Sequence, residues 1–208
     1  MKSFNKFQYD IKLFLDKLFA LILLILLSPI FLIVSILIKG DSKGPVIFKQ
    51  SRIGKDGKLF TIYKFRTMCD NAVSIGEGIF VSKNDTRITG VGRVLRKTSL
   101  DELPQLINIL KSEMSFVGPR PPLEHHPYYY KDYDETQKLR FKVFPGITGY
   151  AQAYGRNSIK WPERIVMDVY YYENYSLFFD FKIILATIFT VIFSRGTYSS
   201  RSTKEKAK

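Results

Sequence analysis

Two adjacent carboxylates, Asp101 and Glu102, lie in the run Thr98-Ser99-Leu100-Asp101-Glu102-Leu103-Pro104-Gln105-Leu106, and an arginine follows in the turn Gly118-Pro119-Arg120-Pro121. A carboxylate can act as nucleophile or metal ligand, and a guanidinium fork can hold the phosphate under attack, so the combination suggests phosphate chemistry. Helix capping competes with it. Ser99 followed three residues later by Glu102 fits a capping box, and Asp101 could itself be the N-cap. Under a Ser99 cap, Pro104 is the fifth helical residue and removes the hydrogen bond to the Leu100 carbonyl. Under an Asp101 cap it is the third and costs nothing, because the first helical amides are unpaired anyway. The two roles are compatible, and the residues leave both open. Leu103, Leu106, Ile107, Leu110 and Met114 have the spacing of a buried helical stripe.

Further residues could join that chemistry. Polar and apolar residues alternate from Lys58 to Arg66, which puts Lys64 and Arg66 on one strand face, as a phosphate grip or a solvated surface. The basic run from Arg87 to Lys97 is either surface charge or, through Arg87, a means of orienting a diphosphate. Pro145-Gly146-Ile147-Thr148-Gly149-Tyr150 sets two glycines around Thr148, a tight turn whose amides suit an anion or simply a turn. His125 and His126 are adjacent, which is poor spacing for two metal ligands on one face. With no other histidine, a serine or cysteine nucleophile assisted by His has no support. The single cysteine, Cys69, rules out an intrachain disulfide, fits a reducing compartment and is expected as core filler.

A chain of 208 residues with 46% hydrophobic content can bury one sizeable core, so one domain plus a membrane element is expected. The balance of 32 Lys and Arg against 19 Asp and Glu, +13 in all, attracts nucleic acid, anionic lipid or nucleotide diphosphates. No nucleic-acid module appears and the charge is spread along the chain, which argues against nucleic acid. Leu18 to Ile38 carries no charge over the roughly 20 residues that a bilayer-crossing helix needs. It is too long for a signal peptide, and Lys39-Gly40-Asp41 is no cleavage site. At its centre, Pro29 removes the hydrogen bond to the Ile25 carbonyl and should kink the helix, while Ser28 can satisfy part of the freed backbone. Lys2, Lys6, Lys12 and Lys17 precede the segment and Lys39, Lys43, Lys49 and Arg52 follow it, so both flanks prefer the cytoplasm, as a re-entrant helix allows. A proline-kinked spanning helix fits the residues equally well.

Turn signals at Gly44-Pro45 and Asp56-Gly57 predict a β-hairpin over residues 46–66. Asp70 to Arg87 is expected as a loop or weak helix, and Pro127 to Lys142 as helical in its second half. Ile183 to Phe193 is too short to span and suits an interfacial or a buried helix. Thirteen Tyr and seventeen Phe supply rings for the headgroup level. The fold class expected is α+β, predominantly helical with a short β-hairpin. It divides into a membrane helix over residues 1–40, a globular domain with an interfacial C-terminal helix over 41–195, and a basic tail over 196–208, expected to be disordered near anionic lipid.

Tyr63-Lys64-Phe65-Arg66-Thr67-Met68, Lys97 to Leu106, Val117-Gly118-Pro119-Arg120-Pro121, Pro145 to Gln152 and Asp168-Val169-Tyr170-Tyr171 closely resemble, in order and type, the bacterial sugar transferases. These are monotopic polyprenol-phosphate phosphoglycosyl transferases, and the resemblance, to their small catalytic-core class, spans residues 12–195. It implies transfer of a sugar 1-phosphate from a UDP-sugar to undecaprenyl phosphate, with Mg²⁺ and release of UMP, at the cytoplasmic face of the bacterial inner membrane. That reaction would be the first membrane step of capsule, exopolysaccharide, O-antigen or glycoprotein assembly. By similarity Asp101 is the nucleophile of a covalent phosphosugar intermediate, and Glu102 supports the metal or the attack of the lipid phosphate. Asp101 and Glu102 are the candidate metal ligands, and Lys64, Arg66, Arg87, Arg120, Thr148 and Asp168 the candidate substrate-binding set. The family's Ser-Pro break matches Ser28-Pro29 and favours re-entry. Tyr150 and Tyr175 stand where the family commonly has Trp, and Gly90 where it has a basic residue or proline. Gly155-Arg156-Asn157 is similar to members that use N-acetylated amino sugars. A homo-oligomer is left open. The alternative to an enzyme is a non-catalytic membrane scaffold for glycan-assembly partners, with both carboxylates as caps.

Overall fold

Pro29 has no amide to give the Ile25 carbonyl, and the chain bends there: α1 (Lys6–Leu26) and α2 (Ser28–Asp41) meet across Leu27 at a bend of 61°. The Ser28 hydroxyl donates to that stranded carbonyl at 2.8 Å, which keeps the break satisfied without water. The structure, a computed structural model, describes residues 6–70, 72, 85–155 and 159–192. The expected tail, most of the loop after Asp70, and Arg156-Asn157 lie outside the described residues.

Bending lets the two helices cover different parts of the globular domain. Ala20 of α1 packs with Ile62, Leu106, Ile109 and Met114, whereas Val34 and Ile38 of α2 pack with Phe65 and Leu95. Their outer faces stay uncovered: Leu18, Phe19, Ile25, Leu26, Leu32 and Ile36 are all exposed. The last helix, α7 (Leu177–Ile192), repeats the pattern, with Ile183 fully buried and Phe178, Phe181, Leu185 and Phe189 exposed. Burying each such side chain would be worth about 1.5–3 kcal/mol, which these faces forgo within the chain itself. Among the described residues no single helix is long and apolar enough to cross a membrane, while the bent pair has the length and composition to do so.

The first turns of α1 are anchored by charge. Lys12, expected as a flanking cation, is instead 4% exposed, with its ammonium 2.8 Å from Asp180 and 3.5 Å from Asp16. Ser115 donates to Asp16 at 2.6 Å and Tyr171 to Asp180 at 2.7 Å, so α1, α7 and the domain interior share one polar network. The two carboxylates make burial of the ammonium tolerable.

The hairpin forms as its alternation predicts, β1 (Ile47–Ile53) antiparallel to β2 (Leu59–Phe65), joined by a turn in which Asp56 and Gly57 have positive φ of 54° and 79°. The glycine segment departs from expectation. Gly146–Thr148 is not an anion-binding turn but strand β4, parallel to β3 (Ser115–Val117), and the Gly146 amide is spent on the Pro119 carbonyl at 3.0 Å. Short helices fill the second half of 127–142, including α5 (Glu135–Lys138), and α6 (Trp161–Glu173) precedes α7.

Candidate active site

Helix α3 (Gly90–Thr98) is capped by Thr89, whose hydroxyl accepts from the Gly92 amide at 3.0 Å, and ends at Ser99 in the left-handed region, φ 58°. The chain then makes a single 3-10 turn, Leu100–Glu102, before α4 (Gln105–Leu110). The structure uses neither of the caps the sequence allows: Ser99 makes no side-chain capping bond, Asp101 lies inside the 3-10 turn, and the N-cap of α4 is Pro104. The expected stripe changes with it, because α4 is short and Ile107 is exposed while Asn108 and Ile109 are buried. Asn108 spends its side chain on the Thr61 carbonyl, the Tyr63 amide and Glu113, which locks α4 against β2. Leu100 and Leu103, either side of the acids, pack into the cluster built on Val34, Ile38, Phe65 and Leu95. The carboxylate turn is therefore seated on the apolar cluster that α2, β2 and α3 build together.

Glu102 Oε1 pairs with Lys64 Nζ of β2 and lies 3.7 Å from Arg120 Nη1. Burial alone would raise its pKa, but Lys64 and Arg120 outweigh that and hold it down at about 2. Asp101 goes the other way: burial pushes its carboxyl up and the Glu102 charge adds to that, only partly offset by Lys64, Arg96 and Arg120. Two neighbouring acids thus receive opposite environments, one clamped and neutralised, the other less stabilised as an anion.

Of the sequence-predicted residues, the structure brings Asp101, Glu102, Lys64 and Arg120 together. The others engage partners outside that group of four. Arg66 donates to the Ser42 carbonyl and hydroxyl at 2.7 and 3.0 Å, at the end of α2. Arg87 engages both oxygens of Asp85 and the Ala72 carbonyl. Thr148 shares a 2.6 Å hydroxyl contact with Thr187 of α7. Asp168 is 1% exposed and binds Arg140 through Oδ2 at 2.6 and 3.1 Å. Arg140 and Arg52 contact the Pro-Arg-Pro turn, and neither carries a site signal in the sequence, where Arg52 reads only as a cation flanking the apolar segment. Arg140 lies in a charged, tyrosine-rich stretch and Arg52 beside a turn, where an arginine ordinarily marks surface.

The family model for bacterial sugar transferases matches residues 7–194. An uncharacterized sugar transferase, EpsL, of Bacillus subtilis is 45% identical over 177 residues, 85% of either chain. A UDP-glucose:undecaprenyl-phosphate glucose-1-phosphate transferase of Klebsiella pneumoniae is 43% identical over 190 residues, 88% of this chain and 40% of its own. A UDP-N-acetylgalactosamine-undecaprenyl-phosphate N-acetylgalactosaminephosphotransferase of Aeromonas hydrophila is 41% identical over 189 residues, 89% of this chain and 44% of its own. The chain spans less than half the length of the latter two.

Proposed function

Because the chain belongs to the bacterial sugar transferase family, we propose that it moves a sugar 1-phosphate from a UDP-sugar to undecaprenyl phosphate and releases UMP. The observation that carries this proposal is the unequal acid pair. Glu102 is neutralised by Lys64 and Arg120, while Asp101 beside it carries a raised pKa and so holds its electron pair more loosely once ionised.

Asp101 attacks the β-phosphorus of the donor. The bond from that phosphorus to the bridging oxygen breaks, and its electron pair leaves with UMP. A phosphate oxygen of undecaprenyl phosphate then attacks the same phosphorus, and Asp101 departs as a carboxylate, leaving the sugar on a lipid diphosphate. Two displacements let a soluble donor and a lipid acceptor use one site in turn. Lys64 and Arg120 face the charge that develops on the phosphoryl oxygens. Among the described residues no group of three or more His, Cys, Asp or Glu side chains could enclose a metal. An adjacent Asp and Glu fit the way Mg²⁺ is commonly held, by one or two carboxylates, water and substrate phosphates. Bound by Asp101 and Glu102, Mg²⁺ would neutralise the diphosphate so that a carboxylate can approach it.

The exposed apolar faces of α1, α2 and α7 support a protein that rests in one leaflet, its bent helix entering and leaving on the cytoplasmic side of the inner membrane. A net charge of +13 favours anionic lipid there. The donor sugar is left to experiment, since the relatives' names differ in it. Purified protein in detergent is incubated with Mg²⁺, undecaprenyl phosphate and UDP-glucose, UDP-galactose, UDP-N-acetylglucosamine or UDP-N-acetylgalactosamine. UMP release with at least one donor is expected, and Asp101→Asn should abolish it while remaining folded. Absence of UMP with every donor overturns the transferase assignment, and turnover by Asp101→Asn overturns the nucleophile.

A further inference from the structure

The segment that carries Arg120 has few amides with which to tie itself down, since Pro119, Pro121 and Pro122 have none. Its carbonyls are tied instead. Four in succession each accept a hydrogen bond: Pro119 from the Gly146 amide at 3.0 Å, Arg120 from Arg140 Nη2 at 2.9 Å, Pro121 from Arg52 Nη1 at 3.1 Å, and Pro122 from the Ile53 amide at 3.1 Å. The outer two donors are backbone amides of strands β4 and β1. The inner two, flanking the peptide that follows Arg120, are guanidinium groups.

Each guanidinium is itself fixed from behind. Arg140 is 1% exposed and gives Nε and Nη2 to Asp168 on α6, while Arg52 gives Nη2 to Gln50 at 2.7 Å. Charged donors make stronger and more directional bonds than neutral ones, and a fork that spends one nitrogen on a carboxylate or amide has little freedom with the next. Burial, and after it repulsion from Arg120, draws the Arg52 pKa down to about 10. In the other direction Arg120 Nη1 lies 3.7 Å from Glu102.

Resting on the transferase assignment above, we infer that Arg52 and Arg140 are positioning residues that clamp the Pro-Arg-Pro turn so that Arg120 meets the phosphoryl group at a fixed place. Asp168, through Arg140, belongs to the same clamp rather than to the substrate contacts.

The test uses Arg52→Lys and Arg140→Lys in the full chain, which keep the charge but cannot hold two partners in fixed geometry. Displacing a catalytic group by about an ångström costs on the order of 100-fold. The expected result is a kcat for UMP release lower by roughly 10- to 100-fold, with KM for the UDP-sugar changed by less than about twofold. In an Arg120→Ala background either lysine substitution should cost less than about twofold more, because the group being positioned is already gone. Undiminished losses in that background, or a raised KM with unchanged kcat, would overturn the clamp. Hydrogen exchange at the Gly146 and Ile53 amides, which donate to the Pro119 and Pro122 carbonyls of the turn, gives a readout independent of the reaction. Roughly tenfold faster exchange at these two amides is expected in both variants, and exchange identical to the parent overturns the inference. If the parent releases no UMP with any donor, the transferase assignment fails, and exchange alone decides whether the clamp exists.

Discussion

Glutamine in place of Glu102 keeps the side chain's shape and removes the charge that Lys64 and Arg120 share. The fall of the Glu102 pKa from 4.5 to about 2 corresponds to about 3 kcal/mol in favour of the ionised form within the fold. Solvent reaches Arg120, whose side chain is 38% exposed, and screening there lowers the expected loss to on the order of 2 kcal/mol. The folded pKa lies below the unfolded one, so this stability is fully present above pH 4.5 and disappears as pH falls through about 2. Glu102→Gln should therefore unfold more readily than the parent at neutral pH, and the difference should close on acidification. Activity should change as well. Without the Glu102 charge, Asp101 loses a neighbour that raises its pKa and gains two cations no longer engaged, so the acid limb of the pH–rate profile moves to lower pH and turnover slows. Denaturant unfolding in detergent, followed by circular dichroism at several pH values, measures the first effect, and UMP release against pH the second. Equal stability at neutral pH, to within about 0.5 kcal/mol, with superimposable acid limbs would show that Glu102 is not the clamped member of the pair.

Arg120→Lys should lower kcat/KM by about 30-fold, about 2 kcal/mol, because an ammonium cannot reproduce a two-pronged grip on a phosphate; kinetics indistinguishable from the parent would reduce Arg120 to a turn residue. Lys12→Met leaves Asp16 and Asp180 buried without their cation and should cost about 3–5 kcal/mol in denaturant unfolding, whereas a loss under about 1 kcal/mol would mean the network is hydrated. With Cys69→Ser as background, cysteines at positions 6 and 43 should both be labelled only from the cytoplasmic side; labelling of position 6 from outside would establish a spanning helix. Ser28→Leu with Pro29→Ala should restore continuous hydrogen bonding and give a mixed population, since the flanking cations resist inversion.

Much of the fold was legible wherever a residue acts on its own stretch of backbone. Pro29 can only deny its amide to Ile25, Ser28 is within reach of that carbonyl, and the bend follows. Alternation from Lys58 to Phe65 and the Asp56-Gly57 turn likewise specify the hairpin. The chemical types at the site, two acids, a strand lysine and an arginine between prolines, were also present in the sequence. Partnership was not. Lys12, Arg52, Arg66 and Arg140 are all cations in polar surroundings along the chain, yet each acquires its role from a carboxylate or carbonyl brought to it by folding. Gly146–Thr148 has the composition of a turn and becomes a strand because Ser115–Val117 lies alongside it. Ser99 and Asp101 have the spacing of caps and are not used so, because Leu100 and Leu103 seat a 3-10 turn on the cluster shared by α2, β2 and α3. Sequence pattern reports which groups a residue can reach through its own turn of chain. A charge takes its energy from whatever lies within a few ångströms in any direction, and for Glu102 and Arg120 those neighbours arrive from β1, β2 and the turn after β3, so the tertiary structure alone decides which cations serve the site and which hold the fold.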